Sequence, residues 1–376
     1  MSEQKQTTKG LEEEVYTGTP EGEVIGLSQQ IEQDLDGFEC EPDNRNAEFG
    51  THPHRSYAAL RKELIEQRMK LRAYLKERGD LTLIPGGALS LGDTGVFCRS
   101  HPDKDYHAWI ENAYGTDVVT ASNHINVGIS DPEEIIRAFR VIRCDAALFL
   151  ALTASSPFLN GKNTGYHSYR WHMFPKTPKR VPLFENFGAY RTYVSEHLST
   201  GVMQNSRHLW LSTRPNGHDV PNEVDRLELR VCDRIDDVEQ LMAVTALFEA
   251  RIWHILEHKH ICPLASNRSP EELITVIDAN EEAVSRDGLD AEIICSASGK
   301  QVQARACIER WLQELGPVFE AYELTPWIEP VYRILDEGSV AMQWMAMYNK
   351  GVPIREIIQE AIRRSAEKDL EASRSI

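Results

Sequence analysis

Six side chains, Glu12, Glu14, Glu41, Glu48, His124 and Glu228, are of the types that hold a hard or borderline metal ion. Each stands in a strand-like segment, where successive side chains point to opposite faces. If those segments pair into one curved antiparallel sheet, the six ligands converge on its concave face. Carboxylates packed that closely cannot all stay ionised without compensation. A divalent cation supplies it, and an oxygen-rich set favours Mg²⁺ or Mn²⁺, completed by water and substrate phosphate. Arg170, Arg214 and Arg230 lie on or beside the same segments, and Arg suits bidentate contact with phosphate or carboxylate. Carboxylate-bound metal with arginines describes a site for a nucleoside triphosphate and an anionic substrate. Periodicity alone also allows these Glu residues to be scattered over a solvated surface.

The strand signal is clearest in Arg226-Leu227-Glu228-Leu229-Arg230-Val231-Cys232-Asp233, which alternates apolar and charged. Leu227, Leu229 and Val231 point to a core. Arg226, Glu228, Arg230 and, on the same alternation, Cys232 point away from it. Gly10 to Tyr16 reads as a strand turning at Thr17-Gly18-Thr19-Pro20, with Glu12 and Glu14 on one face and Glu13 on the other. Residues 37–42 and 46–51 read as a hairpin around Pro42-Asp43-Asn44, and its turn sets the register of Glu41. Asp117 to Ile129 is a further strand, with His124 and Asn126 sharing a face. His208 to Arg214 is another, followed by Pro215-Asn216-Gly217.

Helices must hold these strands. Ser56 to Arg78 carries an apolar stripe of Leu60, Leu64, Met69, Leu71 and Leu75 and stops at Gly79. Asp131 caps a helix that has Pro132 in its first turn and runs to about Leu152. Tyr190 to Thr200 and Asp236 to Glu257 are helical, and a short helix fits within 22–36. From Ser269 the pattern is all helical, four or five helices broken at Gly288, Ser296 to Gly299, Gly316-Pro317 and Gly351 to Pro353. Thr153 to Pro182 is irregular, and long irregular stretches in compact domains usually carry function. Pro85-Gly86-Gly87 is a turn or bulge and only a weak phosphate-loop signal. Met1 to Lys9 and the charged stretch after Arg363 are expected to fray.

Bulk properties exclude several classes. The chain has 376 residues, 41% hydrophobic and 26% charged, as in a soluble globular protein. A net charge of −17 argues against nucleic acid as a main partner. No apolar run is long enough to span a membrane, and the polar start lacks a secretory h-region. The seven cysteines contain no C-x-x-C pair, so neither structural zinc nor a disulfide framework is expected and the cytoplasm is the default compartment. There is no P-loop, H-E-x-x-H, G-x-S-x-G or kinase motif set.

Six stretches in order are similar to one family. They are Gly10-Leu11-Glu12-Glu13-Glu14; Ala47-Glu48-Phe49-Gly50-Thr51; Asn123-His124-Ile125-Asn126-Val127-Gly128; Ala154-Ser155-Ser156-Pro157-Phe158 with Gly165-Tyr166-His167-Ser168-Tyr169-Arg170; Leu227 to Asp233; and Ser285-Arg286-Asp287-Gly288-Leu289-Asp290-Ala291. Together they resemble the bacterial glutamate–cysteine ligase and carboxylate-amine ligase family, relatives of glutamine synthetase. The variant looks closest to the glutamate–cysteine ligases of cyanobacteria and some proteobacteria.

The resemblance implies an α+β fold: a curved antiparallel sheet forming a funnel, helices packed outside, and a helical C-terminal third. It implies that 1–376 is one catalytic domain. It implies ATP-dependent phosphorylation of the γ-carboxylate of glutamate, followed by attack of the cysteine amine on the γ-glutamyl phosphate. Glu12, His124 and Glu228 would hold one Mg²⁺, and Glu14, Glu41 and Glu48 another. Arg230 would contact the phosphates and Arg170 or Arg214 a substrate carboxylate, with Arg170 also a candidate at the nucleotide. The partners would be glutamate, cysteine and ATP, with a homo-oligomer allowed. A different amine acceptor, a two-metal phosphate-ester hydrolase and a non-catalytic binding protein are the competing readings.

Overall fold

The computed structural model describes residues 7–92, 94–217, 225–295 and 299–376. Eleven strands are formed among them: β1 Lys9–Gly18, β2 Phe38–Cys40, β3 Asn46–Gly50, β4 Thr82–Ile84, β5 Asn123–Gly128, β6 Phe158–Leu159, β7 Lys162–Asn163, β8 Thr213–Asn216, β9 Arg226–Leu229, β10 Glu292–Ile294 and β11 Gln301–Gln303. The main sheet has seven strands in the order β2-β3-β1-β5-β9-β8, with β4 also on β1. All its pairings are antiparallel.

One face of the sheet is apolar. Leu11 and Val15 of β1, Ile125 and Val127 of β5, and Leu227 and Leu229 of β9 are buried in the main core. The helices Pro132–Thr153 and Val238–Glu257 pack many apolar side chains into the same core. Each such fully buried Leu, Ile or Val contributes about 1.5–3 kcal/mol. Asp131 caps the first of these helices, its side chain accepting from Glu133 N at 2.9 Å, as its sequence position predicts. No helix among the described residues is long and apolar enough to cross a membrane.

Glu13 faces this core too, away from Glu12 and Glu14. It is fully buried and paired with the guanidinium of Arg68, from the helix Tyr57–Glu77. Arg68 also meets Asp369 at 3.2 Å, and Asp369 meets Arg72 at 2.7 Å. That network corrects the expectation of a frayed C-terminus. The helix Ile354–Ser373 continues well past Arg363 because its buried carboxylate completes the charge balance of Arg68 and Arg72. The N-terminal expectation is corrected in part. Met1 to Gln6 lies outside the described residues, but Lys9 opens β1, its ammonium 3.0 Å from Glu249 and 2.9 Å from the Arg55 carbonyl.

Two further departures have local causes. The strand expected over His208 to Arg214 is formed instead at Thr213–Asn216 and takes in Pro215; β8 is a sheet edge, where Pro leaves no ladder bond unmade. The C-terminal third is helical except for the β10–β11 hairpin, whose Ile293 pairs with Val302. The expected break at Ser296 to Gly299 comes between these two strands in sequence, and residues 296–298 lie outside the described ones.

Candidate active site

The polar face of the sheet carries the predicted ligands, and strand register explains why they meet. Glu12 of β1 lies opposite His124 of β5, and Glu14 lies opposite Glu48 of β3. Glu48 in turn faces Glu39 of β2. Glu228 of β9 faces Asn126 on one side and Arg214 of β8 on the other. Glu12, Glu14, Glu41, Glu48, His124, Arg214 and Arg230 line one cleft of about 380 Å³, together with Glu39. Six strands at about 4.8 Å spacing would put β2 and β8 roughly 24 Å apart if flat. Their sharing a cleft of this size requires a curved sheet.

Within the cleft, one oxygen each of Glu12 and Glu48 and one ring nitrogen of His124 lie within 4.8 Å of one another. His124 Nδ1 is 3.0 Å from Glu12, and its Nε2 is 3.1 Å from the Ser122 hydroxyl and 3.6 Å from Glu14. Ser122 donates to Glu14 at 2.7 Å. Burial, then the charge and hydrogen bond of Glu41, raise the Glu48 carboxyl well above its ordinary range. Burial and the Glu14 charge raise Glu41 as well. Glu12 behaves oppositely: burial and Glu228 push it up, but the His124 hydrogen bond and the charges of His124 and Arg230 outweigh them and hold it low. The cluster is thus short of positive charge on its β2–β3 side, and a cation placed there would relieve it.

Glu228 has a different setting from the one expected. It is fully buried and receives Arg214 in a two-pronged contact at 2.9 and 3.0 Å, Arg230 at 2.6 Å and Asn216 at 3.0 Å. Burial opposes its charge, yet Arg214, Arg230 and His124 hold its carboxyl well below the ordinary range. Its nearer oxygen is 3.8 Å from His124 Nδ1. The structure therefore groups His124 with Glu12 and Glu48, and sets Glu228 behind them as the anchor of two arginines.

The model of glutamate–cysteine ligase family 2 matches residues 8–368. The chain belongs to this family. A protein of Sorangium cellulosum provisionally named glutamate–cysteine ligase 2 is 27% identical over 96% of this chain and 96% of its own. A Streptomyces avermitilis protein, provisionally named glutamate–cysteine ligase 2-1, is 26% identical over 95% of this chain and 99% of its own. Among solved structures, a Francisella tularensis glutamate–cysteine ligase in complex with AMP superposes with a TM-score of 0.76 at 13% identity, covering 97% of this chain and 89% of that one. A bifunctional glutathione synthetase from Pasteurella multocida gives 0.74 at 13% identity, covering 98% of this chain and 53% of the other. These two likenesses show the fold.

In this family member, much of the remaining motif sequence is scaffold. Asp233 accepts from Ser155 N at 2.9 Å, Ser156 Oγ at 2.6 Å and Ser168 Oγ at 2.7 Å, with Arg170 at 3.8 Å. The backbone amides of His167 and Ser168 donate to the Ser285 carbonyl at 2.9 and 2.8 Å. Gly288, at φ +59°, lies so close to His167 that a Cβ would stand 2.4 Å from its Nδ1, so both conformation and space demand glycine. Three quoted stretches are thereby knotted together around Asp233 and Ser285. Arg170 belongs to that knot and does not line the cleft. It is buried, donating to the Val231 and Arg230 carbonyls at 3.1 and 3.2 Å, which fixes the segment that carries Arg230.

Cys232 also departs from its predicted face and lies in the core. The cause is a bulge: the amides of Arg230 and Val231 both donate to the Ser212 carbonyl, at 2.8 and 3.1 Å, which breaks the alternation after β9. Residues that the sequence did not single out complete the cleft. Glu39 shares the parity of Glu41 and was legible on that ground. Trp210 shares the parity of Arg214 in the expected strand and was legible likewise, whereas Arg207, Asn205, Tyr106, His107 and Phe174 come from loops or helices that no strand period reveals.

Proposed function

We propose that the protein joins the γ-carboxylate of L-glutamate to the amine of L-cysteine at the expense of ATP, through a γ-glutamyl phosphate, giving γ-glutamylcysteine, the first step of glutathione synthesis. The observation that carries this reading is the juxtaposition of the carboxylate–His124 cluster with Arg230 in one cleft of a chain that matches its family over nearly its full length. The AMP complex of the Francisella structure supports nucleotide use. On this reading the protein is a single catalytic domain acting in the cytoplasm on three small molecules.

The donor set fits Mg²⁺ or Mn²⁺. It is rich in carboxylate oxygen, and the raised Glu41 and Glu48 show a deficit of positive charge that a cation would make good. Glu12, Glu48 and His124 would form the centre of the set, with Glu14 and Glu41 beside them. When bound, such ions neutralise phosphate charge and stabilise the transferring phosphoryl group. Arg230, held by Glu228, directs a guanidinium at the phosphate oxygens. Arg214 is fixed in a fork by the same carboxylate and places a second positive charge at the cleft wall, where an anionic substrate would be drawn. No protein nucleophile is needed, because phosphorylation itself supplies the leaving group.

The test is an ADP-release assay with glutamate and a panel of amines. Equal amounts of ADP, phosphate and γ-glutamylcysteine are expected with cysteine. Release dependent on another amine would move the acceptor while keeping the ligase. Phosphate release from simple esters without ATP would replace the proposal by a hydrolase.

A further inference from the structure

We infer that Glu32, Cys40 and His101 form a second cation site, at the rim of the cleft, for a borderline-soft divalent ion, with Zn²⁺ as the best match. Glu32 Oε2 lies 3.3 Å from Cys40 Sγ and 2.7 Å from His101 Nε2. One ligand atom from each of the three lies within 4.8 Å of the other two. Tetrahedral Zn²⁺ with one sulfur, one nitrogen and one oxygen places its ligands about 3.4–3.6 Å apart, so the three groups need only small adjustments. All three are partly exposed, which leaves an entry path and a fourth position for water.

The donor set separates this site from the one on the sheet. A thiolate with imidazole selects Zn²⁺ or a similar ion and disfavours Mg²⁺, whereas the carboxylate-rich cluster has the reverse preference. Binding is charge-balanced: Cys40 loses its thiol proton to solvent, His101 offers Nε2 in its neutral Nδ1–H tautomer, and Glu32 exchanges hydrogen bonds for a metal bond. The ligands come from three elements, the helix Ser28–Asp34, the end of β2 and the loop before the helix Asp105–Tyr114. An ion there cross-links the wall that carries Glu39 and Glu41. The same loop is already tied to that wall, since the Ser100 hydroxyl donates to the Glu41 carbonyl. The His101 ring stands 5.8 Å from that of His107, which lines the cleft. Cys40 is itself part of the cleft lining, so occupancy would stiffen or shift that wall and tune the cleft.

The test is titration of the full-length protein with Co²⁺ alone, in excess Mg²⁺ to occupy oxygen sites. The expected result is one equivalent bound with a thiolate-to-cobalt charge-transfer band and a tetrahedral visible spectrum, displaced by Zn²⁺. Cys40→Ser should abolish the band, and Cys98→Ser should leave it. His101→Gln and Glu32→Gln, at partly exposed positions where folding is not at risk, should each weaken binding about tenfold or more. Absence of the band in the wild-type protein, its persistence in Cys40→Ser, or unchanged affinity in both His101→Gln and Glu32→Gln would overturn the site.

Discussion

Replacing Glu48 by Gln should stabilise the metal-free protein while abolishing its use of metal. Glu48 is half-buried opposite Glu14 and beside Glu41, and desolvation with the Glu41 charge raises its carboxyl well above the ordinary range. Its nearest ligand oxygen lies within 4.8 Å of one on Glu12, and two full charges at that distance repel by about 3.5 kcal/mol at an effective dielectric of about 20. Part of that repulsion is avoided by keeping the proton, so the net penalty is smaller. Below about pH 4.3 the carboxyl is protonated folded and unfolded, and no penalty exists. As pH rises toward the folded-state value, the unfolded chain releases its proton first and the folded state loses stability. Above that value the deficit is constant. Glu48→Gln removes it, so at pH 8 in EDTA the variant should be more stable by about 1–2 kcal/mol, or about 1–3 °C in Tm for a chain of this size. At pH 4.5 the two proteins should melt nearly together. With Mg²⁺ and ATP the order should reverse, because only the wild type gains full ligand linkage. Melting curves at two pH values, with and without Mg²⁺-ATP, test every part. A variant that is less stable at pH 8 than at pH 4.5, relative to wild type, would refute the electrostatic argument. An equal shift of both proteins on adding Mg²⁺-ATP would refute the ligand assignment.

Arg230→Lys keeps the charge but loses the fork, so turnover should fall by about a hundredfold with less than about 1 kcal/mol lost in denaturant melts. Arg170→Lys should act instead through stability, by about 1–3 kcal/mol, because two buried carbonyls lose a donor; an activity loss with unchanged melting would return Arg170 to the cleft. Asp369→Asn leaves Arg68 and Arg72 under-compensated and should destabilise by about 3–5 kcal/mol, readable as a lowered urea midpoint. Glu228 holds its charge through Arg214 and Arg230 with a depressed folded-state value. Its contribution is present above about pH 4.3 and is lost as pH falls through that depressed value, so Glu228→Gln should show a shallower acid-unfolding limb than wild type.

The sequence by itself determined the face of each strand, because alternation is a local property. Glu12 and Glu14 on β1, His124 on β5 and Glu228 on β9 needed only a period of two to be placed on one side of the sheet. It also determined the family, through stretches whose order survives low overall identity. Tertiary structure decided which of those residues touch. Glu228 was legible as a site-face carboxylate with Arg230 two residues on along the same face, but its capture by Arg214 depends on strand order, which periodicity does not encode. The bulge at Ser212 turned Cys232 inward, and no local pattern reports one carbonyl serving two amides. Asp369 looked like part of a fraying charged tail until Arg68 and Arg72, about 300 residues away in sequence, gave it partners. Charge in a sequence marks a need for compensation, and only the folded chain decides whether water, an ion or another side chain meets it.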